Sequence, residues 1–165
     1  MTTQLDVRHK PLDRRTFLLR AGAAATLLSL LDGAPGAHAE ASAPESPEFK
    51  AALEALIGNA SPHDIGLTLD LPENVENGDY VPVALSVDSP MTAENHVKAI
   101  HILSTANPRA AVATFRFTLL SGKARVTSRM RLAKTQDVVA VAELSDGSIL
   151  LTRRKIAVKI GGCGI

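Results

Sequence analysis

The chain has 165 residues, 18 of them basic and 17 acidic, with five aromatic side chains and a single cysteine. That length allows one domain, and the near-neutral balance excludes a nucleic-acid binder that works through bulk positive charge. One thiol also excludes an intramolecular disulfide framework and any cysteine-cluster metal or iron–sulfur site, which draw several thiolates from one chain.

The chain opens with Arg8, Lys10, Arg14, Arg15 and Arg20, continues into the uncharged run 21–31, and reaches the small-residue stretch Gly36-Ala37-His38-Ala39. These are the three parts of a secretory signal. The uncharged run would rise only about 16 Å as a helix, short of the roughly 20 residues of a membrane span. Asp13-Arg14-Arg15-Thr16-Phe17-Leu18 resembles a twin-arginine export signal, which predicts a periplasmic protein cleaved after Ala39. The remaining 126 of 165 residues keep 13 of the 18 basic and 14 of the 17 acidic side chains, a formal charge of −1. The lone cysteine then resides in an oxidising compartment.

Residues 40–47 are rich in proline and small side chains and are expected to form a mobile tether. Ser46 as N-cap, Pro47 at the first helical position and Phe49, Leu53, Leu56 and Ile57 at i, i+4, i+7 and i+8 predict one short amphipathic helix ending at Gly58. Its apolar stripe fits either this domain or a partner. From Leu67 the period changes to two. Leu67, Leu69 and Leu71 alternate with polar residues, and Val81, Val83, Leu85 and Val87 do so after a turn at Glu76-Asn77-Gly78-Asp79. Further runs at 97–103, 112–119, 123–132, 138–144 and 149–160 are separated by Asn107-Pro108-Arg109, Ser121-Gly122, residues 134–137 and Ser145-Asp146-Gly147-Ser148. About seven strands so spaced predict an all-β sandwich spanning 48–160 together with the helix.

The last five residues, Gly161-Gly162-Cys163-Gly164-Ile165, form the strongest candidate for chemistry. Glycine costs the most backbone entropy to order, so Gly161, Gly162 and Gly164 predict a swinging arm that carries the thiol. Extended at about 3.3 Å per residue, such an arm reaches on the order of 10 Å beyond the last strand. A catalytic thiolate requires a helix N-terminus, a histidine or a cation to lower its pKa from about 8.5, and the neighbouring sequence supplies none. Cys163 is therefore expected to be a passive attachment point activated by other proteins. The competing reading is an accidental thiol that only cross-links chains.

Other candidates are weaker. His63, His96 and His101 lack metal-ligand spacing and are read as surface or internally satisfied histidines, and no cofactor or metal is expected. His101 is placed on the strand face shared by Val97 and Ala99, with Ile100 and Ile102 opposite. Lys123, Arg125, Arg129 and Arg131 share one strand face, which suits either an acidic partner or simple solvation. Arg153-Arg154-Lys155 interrupts the last strand, where it could help dock enzymes approaching the thiol.

Leu69-Asp70-Leu71-Pro72-Glu73, Glu76-Asn77-Gly78, His96-Val97-Lys98, Asn107-Pro108-Arg109, Leu144-Ser145-Asp146-Gly147-Ser148 and the closing Gly161-Gly162-Cys163-Gly164 together resemble the SoxY family, sulfur carriers of bacterial thiosulfate oxidation. The likeness runs from about Leu67 to the end. It implies an immunoglobulin-like β-sandwich, a heterodimer with SoxZ, and covalent attachment of thiosulfate-derived sulfur to Cys163. It further implies that the haem enzyme SoxAX loads the thiol, that the hydrolase SoxB releases sulfate, and that a sulfane dehydrogenase acts on the remaining sulfur in many organisms. The chain itself would not be an enzyme. It departs from the family in ending on Ile165 rather than glycine.

Overall fold

A computed structural model describes residues 42–162. The export segment 1–39 and the arm residues Cys163, Gly164 and Ile165 lie outside the described residues. Helix α1 (Pro47–Ile57) is followed by β1 (Leu67–Asp70), β2 (Asn74–Asn77), β3 (Val81–Val87), β4 (Val97–Ser104), β5 (Ala111–Arg116), a 3-10 turn at Leu119–Ser121, β6 (Ala124–Met130), β7 (Gln136–Leu144) and β8 (Ile149–Ile160). The strands form a three-stranded sheet, β1-β3-β6, and a five-stranded sheet, β2-β8-β7-β4-β5, in an immunoglobulin-like sandwich.

Alternation dictates the small sheet. Leu67 and Leu69 on β1 and Val81, Val83, Leu85 and Val87 on β3 are buried, while Thr68, Asp70 and Pro82 between them are exposed. Those apolar rows meet Ile100, Ile102, Val138, Ala140, Ala142, Ile156 and Val158 of the large sheet to make the main core. β7 shows no alternation, because Val138, Val139, Ala140, Val141 and Ala142 are all fully buried. A strand covered on both faces reads as a continuous apolar run.

The second cover is α1. Ser46 Oγ accepts the Phe49 N–H at 3.1 Å, Pro47 supplies a preset φ, and Gly58 ends the helix at φ +53°. Phe49, fully buried, packs with Leu103, Val139, Val141 and Ile149 on the outer face of the large sheet, and Leu53 and Leu56 pack beside it. The stripe therefore belongs to this domain.

Four expectations change. Residues 42–46 are docked: Ser42 Oγ donates to Asp137 Oδ1 at 3.0 Å, and the N–H groups of Ala43 and Ser46 donate to the carbonyls of Thr135 and Thr105. β2 is an eighth strand that runs parallel to β8 and pairs Asn74, Val75 and Asn77 with Ala157, Val158 and Ile160. The fifth strand stops at Arg116, and Leu119 enters the 3-10 turn. In β4, a bulge between Val97 and Ala99 inserts one extra residue against β7, so Val97 faces the main core with Ile100 and Ile102, and not the outer face with His101.

Candidate functional site at the end of the last strand

β8 delivers the chain to the glycine tail, and its final residues are tied into three backbones. β2 pairs with β8 as far as Ile160, whose carbonyl accepts the Gly78 N–H at 2.8 Å. Gly78 in turn accepts the Leu132 N–H at 2.9 Å, and the Leu132 carbonyl accepts the Gly162 N–H at 2.9 Å. Three segments far apart in sequence thus close a ring of backbone hydrogen bonds at the last described residues.

Packing is so close there that side chains are excluded. A Cβ on Gly78 would strike the Leu132 carbonyl, one on Gly161 the Ala133 carbonyl, and one on Gly162 the backbone of Gly78 and Asp79. Gly162 is buried and Gly161 exposed. Glycine is thus needed at Gly161 and Gly162 for close backbone approach, in addition to any freedom it lends the tail. Asn77 Oδ1 accepts the Asp79 N–H at 2.8 Å and fixes the turn on which Gly162 rests.

The surroundings are strongly charged. Lys159 pairs with Glu76 at 2.6 Å, Arg131 approaches Asp79 at 3.9 Å, and the Arg129 guanidinium lies 4.6 Å from the centre of the Tyr80 ring. A cleft of about 600 Å³ opens beside this turn. Val83, Ile102 and Phe115 contribute apolar walls, Arg109, Arg129 and Arg131 contribute cations, and Asp79 connects the cleft to the seat of Gly162. Clustered guanidinium groups beside a low-dielectric wall attract anions.

The remaining candidates separate. Lys123, Arg125, Arg129 and Arg131 are exposed along β6 and the residues flanking it, with Ala124, Met130 and Leu132 buried opposite. His101 is 9% exposed, with Nδ1 3.0 Å from Thr114 Oγ1 and Nε2 2.9 Å from Glu143 Oε1, an internally satisfied histidine. His96 Nδ1 lies 3.0 Å from the Thr92 carbonyl, and His63 bridges to Leu150 through its backbone. Among the described residues no group of three or more His, Cys, Asp or Glu could hold a metal ion. Arg153 is used inside the fold: it reaches Glu45 at 2.8 Å and Asp137 at 3.4 Å and covers the Phe49 ring at 5.7 Å. β8 runs through Arg153, Arg154 and Lys155 without a break.

Gly78, Leu132 and Ala133 were not singled out as site residues by sequence reasoning. Gly78 stood in an expected turn, and nothing in a linear pattern brings residues 78, 132 and 162 together.

The family model of the sulfur oxidation protein SoxY matches residues 53–163, a span that ends on Cys163. The chain belongs to the SoxY family. The sulfur carrier protein SoxY from Chlorobium limicola f thiosulfatophilum is 30% identical, with a TM-score of 0.56 over 68% of this chain and 97% of that one. A superoxide reductase (neelaredoxin) from Ignicoccus hospitalis aligns at 19% identity and a TM-score of 0.52, covering 56% of this chain and 80% of its own. The second likeness shows the fold alone. No curated protein matches the sequence. SoxY membership makes this chain a sulfur carrier in sulfur oxidation.

Proposed function

We propose that Cys163 is the attachment point and that the chain acts as a non-enzymatic, periplasmic carrier of thiosulfate-derived sulfur. The observation that carries this reading is the seat of Gly162: the fold ties the chain down one residue before its only thiol, at the tip of the last strand. The family match, which runs through residue 163, supports the same residue.

Oxidative joining of thiosulfate to the thiol forms an S–S bond, releases the thiol proton and passes two electrons to the haem enzyme SoxAX. Hydrolysis by SoxB then adds water across the terminal S–S bond, which leaves a persulfide on Cys163 and frees sulfate. A sulfane dehydrogenase, where present, oxidises the remaining sulfur. Cys163 and its adducts are handled by these enzymes, and SoxZ is the expected heterodimer partner. Arg109, Arg129 and Arg131 around the cleft favour anionic cargo of this kind close to the seat. Twin-arginine export, expected from Arg14-Arg15, would carry the folded protein out of the cytoplasm.

Growth on thiosulfate tests the reading. A strain whose only copy carries Cys163→Ser is expected to lose thiosulfate-dependent growth, while accumulating the protein in its periplasmic fraction. Unimpaired growth would favour the other reading, a sandwich module whose tail thiol only cross-links chains.

A further inference from the structure

A buried polar network without a role in the carrier chemistry lies under the seat of Gly162. Asn107 is 7% exposed and Gln136 fully buried, beside the buried Thr105 and Thr135. The Asn107 amide spans Leu132: Nδ2 donates to the Arg131 carbonyl at 2.8 Å and Oδ1 accepts the Ala133 N–H at 2.9 Å. Gln136 holds that amide in place, its Nε2 donating to Asn107 Oδ1 at 2.8 Å and its Oε1 accepting the Ala106 N–H at 2.8 Å.

The segment held this way has left β6, which ends at Met130, and has not entered β7, which begins at Gln136. Its backbone groups lack ladder partners, and buried groups of this kind must find others. Asn107 supplies them on both sides of Leu132, which turns the Leu132 N–H toward Gly78 and its carbonyl toward Gly162. Burial of an amide is costly unless its hydrogen bonds are met, and here one donor and two acceptor contacts are met by two backbones and one side chain.

We propose that Asn107 and Gln136 are positioning residues for the carrier tail: acting through Leu132 they fix the seat of Gly162, the point from which the chain runs on to Cys163. The proposal rests on Cys163 as the attachment point, but its test reads geometry and needs no sulfur cargo. Gly161 and Gly162 then serve as a fixed root. A fixed root presents the cargo to every partner from the same point on the surface.

Because Cys163 is the only cysteine, a nitroxide can be attached there selectively, with a second on Thr68→Cys, an exposed position on β1. Pulsed electron-electron resonance on the doubly labelled chain then reads the distribution of distances between them. Asn107→Ala is expected to broaden that distribution roughly twofold, since loss of one network member frees the others. Gln136→Ala should broaden it as well, and so should Asn107→Asp, which keeps the acceptor contacts but turns an oxygen in place of Nδ2 toward the Arg131 carbonyl. Val141→Ala, which weakens the core under α1, is expected to leave the width unchanged despite lower stability. Should Asn107→Ala fail to fold, Gly162→Ala unseats the same residue from the chain end and is expected to broaden the distribution while the chain stays folded. Unchanged width in Asn107→Ala or Gly162→Ala, or equal broadening in Val141→Ala, would overturn the proposal. Unchanged widths beside sulfur adducts on the unlabelled wild-type chain would leave the positioning claim refuted and the carrier reading intact.

Discussion

Leu132 and Gly162, thirty residues apart, are joined by a 2.9 Å hydrogen bond between their backbones, and this bond fixes where the carrier tail leaves the sandwich. Leu132 is itself fully buried, and Asn107 bonds the Arg131 carbonyl before it and the Ala133 N–H after it. The placement of Gly162 is thereby coupled to the packing around Leu132.

Gly78 is the third member of that arrangement. Its φ is not in the left-handed region, so the requirement for glycine is steric: a Cβ would collide with the Leu132 carbonyl. Gly78→Ala is expected to cost about 1–3 kcal/mol in urea unfolding, as backbone shifts that relieve overpacking do. The same variant should widen the Cys163 label distribution described above.

Phe49 anchors α1 on the outer face of the large sheet and is fully buried. Phe49→Ala is expected to lower stability by about 3–5 kcal/mol through lost burial and the cavity left behind. Leu120→Ala, at a position 97% exposed, should change it by less than about 0.5 kcal/mol. Equal effects in chemical denaturation would contradict the docking of the helix.

His101 bridges Thr114 and Glu143 across three strands of the large sheet. His101→Ala leaves the half-buried Glu143 and the exposed Thr114 without their hydrogen bonds and is expected to destabilise the fold by about 1 kcal/mol. Sulfur loading per folded molecule should be unaffected, since the residue is a structural strut. Calorimetry and adduct stoichiometry on the same preparation check both halves.

Asp146 gives a pH dependence of known sign. Its Oδ1 accepts the Ser148 hydroxyl at 2.7 Å and the Ser148 N–H at 2.8 Å, and these hydrogen bonds, the hydroxyl foremost, hold its carboxyl below the ordinary 3.8. A depressed folded pKa contributes stability above the unfolded value, and that contribution is lost as pH falls through the folded value. Wild type should therefore exceed Asp146→Ala in stability at neutral pH, with the gap closing as acid titrates the carboxylate. A gap independent of pH in denaturant titrations would contradict this.

The sandwich was legible wherever one face of a strand meets water. β1 and β3 alternate cleanly because their outer faces are solvated. β2 escaped because only Val75 in it is apolar, and its pairing is a property of the β8 edge. The bulge in β4 was hidden for a related reason: with Ile100, His101, Ile102 and Leu103 all buried, burial on both faces erases the alternation that would reveal a parity switch. At the site, the thiol and its glycines stood out from composition alone. The ring joining Gly78, Leu132 and Gly162 did not, since it consists of backbone contacts that carry no side-chain signature. Asn107 beside Pro108 read as an ordinary turn residue, and only the fold shows its amide spanning Leu132.

The central claim is that Cys163 carries sulfur, and intact mass spectrometry tests it most directly. Protein purified without reductant from thiosulfate-grown cells is expected to show sulfur-containing adducts that disappear in Cys163→Ser. Only unmodified chain and disulfide-linked dimer in the wild type, or the same adducts retained in Cys163→Ser, would contradict it.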